Sequence, residues 1–391
     1  MNWDKLNKNI SNCFFGYYDR NPWNNEKTRH LALHCDVQDR VPIPGEMAQV
    51  GYLERTTGKF ITCAETRAWG HQQGSMLQWL KHLPNTFIFN DYDLKKRQLV
   101  CCIYQIGQGI IGYYNRPIYI VSSDGNWGLS LNFSRLVRRG YSYADAPVPV
   151  EYLPDLDADG LFLVDMISGH SQLLKSYREI INCHPMQYSL ADRYLWLDHP
   201  GFNCDSSQML FLFRDCADPF HPTSWHTNMF TMNVDGTNLR CTLPDAYWGQ
   251  KITHQLWGRT PNEIVVDANW QEKGSEYVVF DHRLMPPFAT RISTGLGHSG
   301  HLVFSPDRQW LLADTYPDKN GKQLLAVVNL KTEKLHLIGE FNHVQPIGTC
   351  IDVRCDLHPR WSNDGSIITV DSIHNGTRDI YISEFNPAAL N

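Results

Sequence analysis

Charge is sparse in this sequence and has no focus. Charged residues fill 19% of the 391 positions, below the roughly 25% of an average globular chain, and 35 Lys and Arg are dispersed among 41 Asp and Glu. With a net charge of −6 and no basic tract, nothing is laid out for a phosphate backbone, so nucleic acid is excluded as an expected partner. Long apolar runs are missing as well. No stretch approaches the roughly 20 residues of a membrane span, and the first thirty residues hold neither the apolar core nor the small-residue cleavage site of a secretory leader. The eleven cysteines are odd in number, scattered from Cys13 to Cys355, and contain no C-x-x-C pair. That pattern argues against a disulfide framework or a zinc cluster and for reduced thiols in a cytoplasmic protein.

Aromatic residues, by contrast, are plentiful: 12 Trp, 18 Tyr and 17 Phe suit strands better than a helical bundle. Turn phrases recur at S-S-D-G (122–125), L-A-D-R (190–193), R-T-P-N (259–262), S-P-D-R (305–308) and S-N-D-G (362–365). Each lies between two apolar or aromatic strands, and several units close with a further hairpin, such as L-L-A-V-V-N-L-K-T-E-K-L-H-L-I. Four antiparallel strands per unit make the blade of a β-propeller. Two looser units, H-L-A-L-H-C-D and M-L-Q-W-L with the strands that follow them, bring the count to seven at roughly 56 residues each. The expectation is an all-β fold, a single seven-bladed propeller of four-stranded antiparallel blades over residues 1–391. In it C-F-F-G-Y-Y-D completes the last blade, and the insert 134–160 forms a loop over one face.

Two motifs invite a cofactor and fail on context. G-Q-G-I-I-G at 107–112 has dinucleotide-loop spacing, but Y-Y-N-R-P-I-Y-I-V follows where a helix is needed, so it reads as a blade-to-blade loop. D-L-D-A-D-G at 155–160 opens like a calcium loop, yet the twelfth position, which needs a bidentate Glu, is Met166. The same acids could suit a sugar-nucleotide site; before a strand they read as a turn.

The histidines carry more. His301 and His358 each stand six residues ahead of a turn Asp, and His184 and His254 precede looser copies of the phrase. One such histidine is usually structural. Four that head equivalent strands of consecutive blades would meet at the mouth of the central channel, and neutral imidazole is the commonest ligand for a divalent metal. Neighbouring candidates are Asp356, Arg354 and Arg214, with Gln72 and Gln73 from the W-G-H-Q-Q-G loop.

The phrases H-Q-L-W (254–257), H-L-V-F-S-P-D (301–307) and L-H-P-R-W-S-N-D-G (357–365) resemble those of the oligogalacturonate lyases. That resemblance implies a cytoplasmic seven-bladed propeller that holds manganese with histidines and a glutamine, and a further histidine as base. His301 and His358 would be ligands and His254 the base. Asp356 stands where the family has another histidine, an exchange that hard cations accept. The glutamine ligand has no counterpart here, and Arg214 is the nearest candidate for the catalytic arginine. Over more of its length, in phrases such as G-Y-Y-D-x-x-P-W-N and R-C-D-L-H-P-R-W-S, the chain resembles uncharacterised proteins of bacterial surface-polysaccharide gene clusters, some labelled glycosyltransferases.

The resulting expectation is a metal-dependent lyase for uronate oligosaccharides. His301, His358, Asp356 and His184 hold the divalent ion, manganese with calcium or zinc as alternatives. His254 removes the proton, Arg214 or Arg354 orients the acid group, and Gln72, Gln73, Trp69, Tyr17 and Tyr18 contact the sugar. The rival readings are a non-catalytic carbohydrate-binding or scaffold propeller and a glycosyltransferase.

Overall fold

A small polar side chain closes the first turn of most blades in the same way. The side-chain oxygen of Asn24, Ser122, Asn203, Ser305 or Ser362 accepts the backbone N–H five residues on, at 2.9–3.0 Å. After Ser122, Ser305 and Ser362 an Asp two residues later takes the hydroxyl proton, the local bonding that makes Ser, Asn and Asp turn formers. The computed structural model describes residues 1–390 except 138–139, 186–188, 222–223, 245–252, 269–275, 285–288, 295 and 345–350.

These turns punctuate seven four-stranded antiparallel sheets, the blades of a propeller. The innermost strands are Cys13–Phe14, Gln78–Trp79, Ile120–Val121, Tyr194–Phe202, Thr253–Trp257, Leu302–Phe304 and Arg360–Trp361, in blades one to seven. Those of neighbouring blades lie side by side around the axis. One aromatic position repeats at or beside the end of these strands, and its indole links the blades. Trp79, Trp257 and Trp361 donate Nε1–H to the carbonyls of Pro22, Gly201 and Val303, each the residue before the matching aromatic, Trp23, Phe202 or Phe304, of the preceding blade. A large apolar ring thus fills the gap between sheets while its one polar atom finds a partner.

Polar groups near the end of the second strand make another set of links. The Asp314 carboxylate accepts the backbone N–H of His358 in the next blade, Asp371 accepts those of Phe15 and Gly16, and Asn90 bonds both backbone groups of Ile118.

The structure corrects the sequence reading in three places. Ring closure falls to Asp4–Lys5, which adds the outermost strand to the last blade beside Asp379–Glu384. C-F-F-G-Y-Y-D instead opens blade one: Cys13–Phe14 pairs with His34 and Leu33, after which the chain turns into the channel at Gly16. That glycine has φ +119°, and a Cβ there would meet the Gln73 backbone at 2.7 Å. In blade four, L-A-D-R precedes the nine-residue innermost strand, and the turn that matches S-N-D-G is N-C-D-S at 203–206. G-Q-G-I-I-G lies inside blade two, where its first half turns between Gln98–Gln105 and Gly109–Tyr114, so it joins strands and not blades. Among its described residues the insert 134–160 runs outside the strands as far as Asp159, after which Gly160–Asp165 begins, and Tyr141, Tyr143 and Val148 from it are buried in the core.

Closure places Asp379 in the core with Lys5 Nζ at 2.7 Å and Asn7 Nδ2 at 2.6 Å. Removal of residues 1–8 leaves that carboxylate buried without those partners, at a cost of about 3–5 kcal/mol. The expected outcome is a clearly lower urea midpoint by circular dichroism than that of the full chain.

Candidate metal centre

One register position repeats at or just ahead of the inner strands, three residues before the repeated aromatic or, in blade three, before Val121. The seven are Arg20, Met76, Ile118, His199, His254, His301 and His358. Four histidines therefore do stand in register on consecutive blades, but blade four contributes His199 and not His184. His184 follows the short helix Tyr177–Asn182, packs on Phe213 with ring centroids 4.8 Å apart, and bonds the Asn228 amide. Its expected role as a ligand rested on the misplaced turn of that blade. The signal for His199 was present: H-P-G-F-N-C-D at 199–205 has the spacing of H-P-R-W-S-N-D at 358–364.

His199, His254 and His358 all have left-handed backbone, with φ of 46°, 50° and 42°. Such a conformation is uncommon for a non-glycine residue and costs on the order of 1–3 kcal/mol. Pairing with the second strand shifts register at 198–201 and 253–256, around His199 and His254. A bulge there re-aims a side chain that strict alternation would send elsewhere.

Three of the rings meet. His301 and His358 have centroids 4.3 Å apart, and His254 and His301 4.4 Å. His301 Nδ1 lies 3.1 Å from the Asp314 carboxylate, which accepts only, so Nδ1 is the donor. A carboxylate behind the ring in this way both orients an imidazole ligand and raises its basicity. Burial, with the nearby charges of His301 and Arg360, drives the His358 pKa well below the usual histidine value, so that ring is neutral. Its Nε2 is buried with no hydrogen-bond partner among the described residues. Ligand atoms of His301, Asp356 and His358 all lie within 4.8 Å of one another. Two imidazoles and one carboxylate, with the His358 nitrogen unsatisfied among them, fit a divalent cation.

Around this group the other predicted residues divide. Arg354 holds Asp356 with two bonds, Nε to Oδ1 at 2.5 Å and Nη2 to Oδ2 at 2.9 Å, and its guanidinium lies 4.0 Å over the Tyr316 ring. The Tyr316 hydroxyl is 2.9 Å from His254 Nε2. His254, Tyr316 and Arg354 are only partly buried, so they form the open side of the cluster. Tyr17 and Tyr18 pack on the histidines, with ring centroids 5.2 Å from His358 and 4.9 Å from His301 respectively. Both also line a cavity of about 340 Å³ along the axis, with Asp19, Arg20, His199 and Trp257. The two tyrosines therefore separate that cavity from His301 and His358.

Arg214 sits one step away: Nη1 bonds Asp198 at 2.8 Å, and Asp198 accepts the His199 backbone N–H. Gln73 donates to the Tyr119 hydroxyl, which lies 3.0 Å from His199 Nδ1. Gln72 spends its amide on the carbonyls of Ile351 and Arg354, so it shapes the loop that carries Arg354. Trp69 is fully buried and donates to the Glu46 carbonyl, which rules out the expected stacking on a sugar. Gln72 and Gln73 are likewise buried and engaged within the protein, which corrects their expected contact with sugar.

Two solved structures match this fold over nearly the whole length. One, described as oligogalacturonate lyase in complex with manganese, aligns with a TM-score of 0.62 at 15% identity and covers 100% of this chain and 94% of the other. In fold, the chain is similar to oligogalacturonate lyase. A second such lyase, from Vibrio parahaemolyticus, aligns with a TM-score of 0.63 at 14% identity over 99% of this chain and 94% of its own. No family model matches the sequence, and no curated protein does. At these identities the likeness to the lyase is one of fold.

The loop beside the site has its own titration. Burial, followed by the charge of Arg378, pulls the His71 pKa from 6.5 to about 3, and its Nε2 is 2.8 Å from the Val37 carbonyl. Between these values the unfolded chain binds the proton and the folded one does not, so stability falls as pH drops from 6.5 toward 3. His71→Gln is expected to flatten that limb by roughly 1.4 kcal/mol per pH unit relative to the unaltered protein, as read by urea titrations across the window.

Proposed function

We propose that the chain is a divalent-metal-dependent carbohydrate-active enzyme, a lyase that cleaves uronate-containing oligosaccharides by β-elimination. The observation that carries this reading is the His301, Asp356 and His358 group, closed in by Tyr17 and Tyr18, with the His358 Nε2 left without a partner. The fold likeness to a lyase described with manganese supports it further. A divalent ion held by these three residues would supply Lewis acidity toward a carboxylate beside the reacting carbon.

The roles of the chain's own residues follow from where they stand. His254, on the open side and 4.4 Å from His301 between ring centroids, takes the proton from the carbon next to the uronate carboxyl. The electron pair of that C–H bond forms the new double bond as the glycosidic C–O bond on the adjacent carbon breaks, and the leaving oxygen gains a proton. Tyr316 holds the His254 ring through its hydroxyl. Arg354 offers the guanidinium fork that matches a carboxylate, and Arg214 acts from further off, through Asp198 and His199.

With purified protein, a panel of uronate oligosaccharides and added Mn²⁺, the expected result is growth of near-ultraviolet absorbance from the unsaturated product, abolished by chelator. His254→Ala is expected to lower the rate by about 10²–10⁴ while Mn²⁺ binding persists. Full activity of metal-free protein, or of the alanine variant, would overturn the mechanism. Glycan binding without turnover across the panel would favour the scaffold reading.

A further inference from the structure

We infer that Arg354 is a built-in counter-cation: it holds Asp356 until a divalent ion binds, then turns to an anionic ligand at the channel mouth, so that metal and anion bind cooperatively. This rests on the metal reading above. The sequence feature behind it is the pair Arg354 and Asp356 two residues apart, ahead of His358.

The Asp356 side chain is almost wholly buried, and both its oxygens are taken by one guanidinium in a bidentate contact. It is also the sole anion of the three candidate ligands. With a divalent ion and Arg354 together on it, Asp356 would face three positive charges, an imbalance that a desolvated site resists, because the other buried carboxylate, Asp314, is already engaged with the His301 ring and the His358 backbone. Either the ion stays out or the guanidinium leaves. The carboxylate itself is poorly placed to move. Next to it, Cys355 N donates to His343 Nε2 and Gln323 Nε2 donates to the Cys355 carbonyl, while His358 N is fixed on Asp314. The backbone of Arg354 is held too, since its carbonyl accepts from Gln72.

The Arg354 side chain is more exposed than that of Asp356, 17% against 2%, and it rests on the Tyr316 face at the open side of the cluster. Rotation about its side-chain bonds carries the charge outward along that ring without disturbing the ligands. There, parted from Asp356, it is a bidentate donor suited to a carboxylate. An acidic sugar at the mouth therefore stabilises the displaced arginine, and the displaced arginine leaves Asp356 to the ion. Linkage makes the two effects equal: whatever factor the anion adds to metal affinity, the metal adds to anion affinity.

The test is calorimetric titration of Mn²⁺ into the full chain and into Arg354→Gln, each with and without galacturonate, with galactose as the uncharged control. The expected result is that galacturonate, but not galactose, tightens Mn²⁺ binding to the unaltered protein about fivefold or more. Arg354→Gln is expected to bind Mn²⁺ roughly tenfold tighter on its own, because the competitor is gone, and to show no response to galacturonate. Arg354→Lys, which keeps the charge but loses the fork, is expected to fall between them and guards against misfolding of the glutamine variant. Mn²⁺ binding that is unchanged or weaker in Arg354→Gln, with both variants folded by circular dichroism, overturns the inference and leaves the metal reading standing. Absence of divalent-ion binding in all three proteins overturns both.

Discussion

The site depends on one buried carboxylate. Asp314 stands at the end of the second strand of blade six and accepts the His301 backbone N–H at 2.5 Å, the His301 ring Nδ1–H at 3.1 Å and the His358 backbone N–H at 3.1 Å. A single side chain thereby joins two blades, fixes the tautomer of one candidate ligand and sets the height of the other. Hydrogen bonds to a charged group are worth about 1.5–3 kcal/mol each, enough to hold His358 in its left-handed conformation. Asp371 and Asn90 repeat the device in two other blades, since each bonds backbone beside the inner strand of the blade that follows. At Asp314 the same structural link also aims two imidazoles at each other.

The ring around the axis is chemically lopsided. At equivalent places blades two and three present Met76 and Ile118, whereas blades four to seven present histidine and blade one presents Arg20. Met76 packs in one core cluster with Tyr119 and Phe133 and Ile118 in another with Ile88 and Val164, whereas His254, Tyr316 and Arg354 are only partly buried. The tyrosine pair from blade one crosses the channel to lie against His301 and His358. Architecture alone would give seven similar arms; histidine at a single register position of blades five, six and seven brings three imidazoles together.

The blades were legible because their turns are written in local chemistry. A Ser or Asn that takes the N–H five residues on needs nothing from the rest of the chain, so S-P-D-R and S-N-D-G announce themselves. The failures have the opposite cause. L-A-D-R has the composition of such a turn but lies ahead of a nine-residue strand, and its pairing with Gln208–Cys216 shows that the turn of blade four is the less obvious N-C-D-S. Asp4–Lys5 is too short to carry a period of its own, so ring closure by it had no sequence signature. Trp69 shows the limit for aromatic residues: a ring that stacks on a sugar and one that fills a core have the same composition, and burial decides between them. His301, His358 and Asp356 could be read together because their spacing and the H-P-R-W-S-N-D phrase place them at one end of adjacent strands, as the structure does.

Closure by the first residues of the chain has a consequence for how the protein is made. Tyr17 and Tyr18 leave the ribosome early and His358 late, and the outermost strand of the last blade comes from Asp4–Lys5. Domains fold from their N-terminus as synthesis proceeds, yet here the earliest strand must wait for the latest sheet. A nascent chain can build its middle blades one after another, but the His301, Asp356 and His358 group forms only once blade seven is made and its sheet meets Asp4–Lys5.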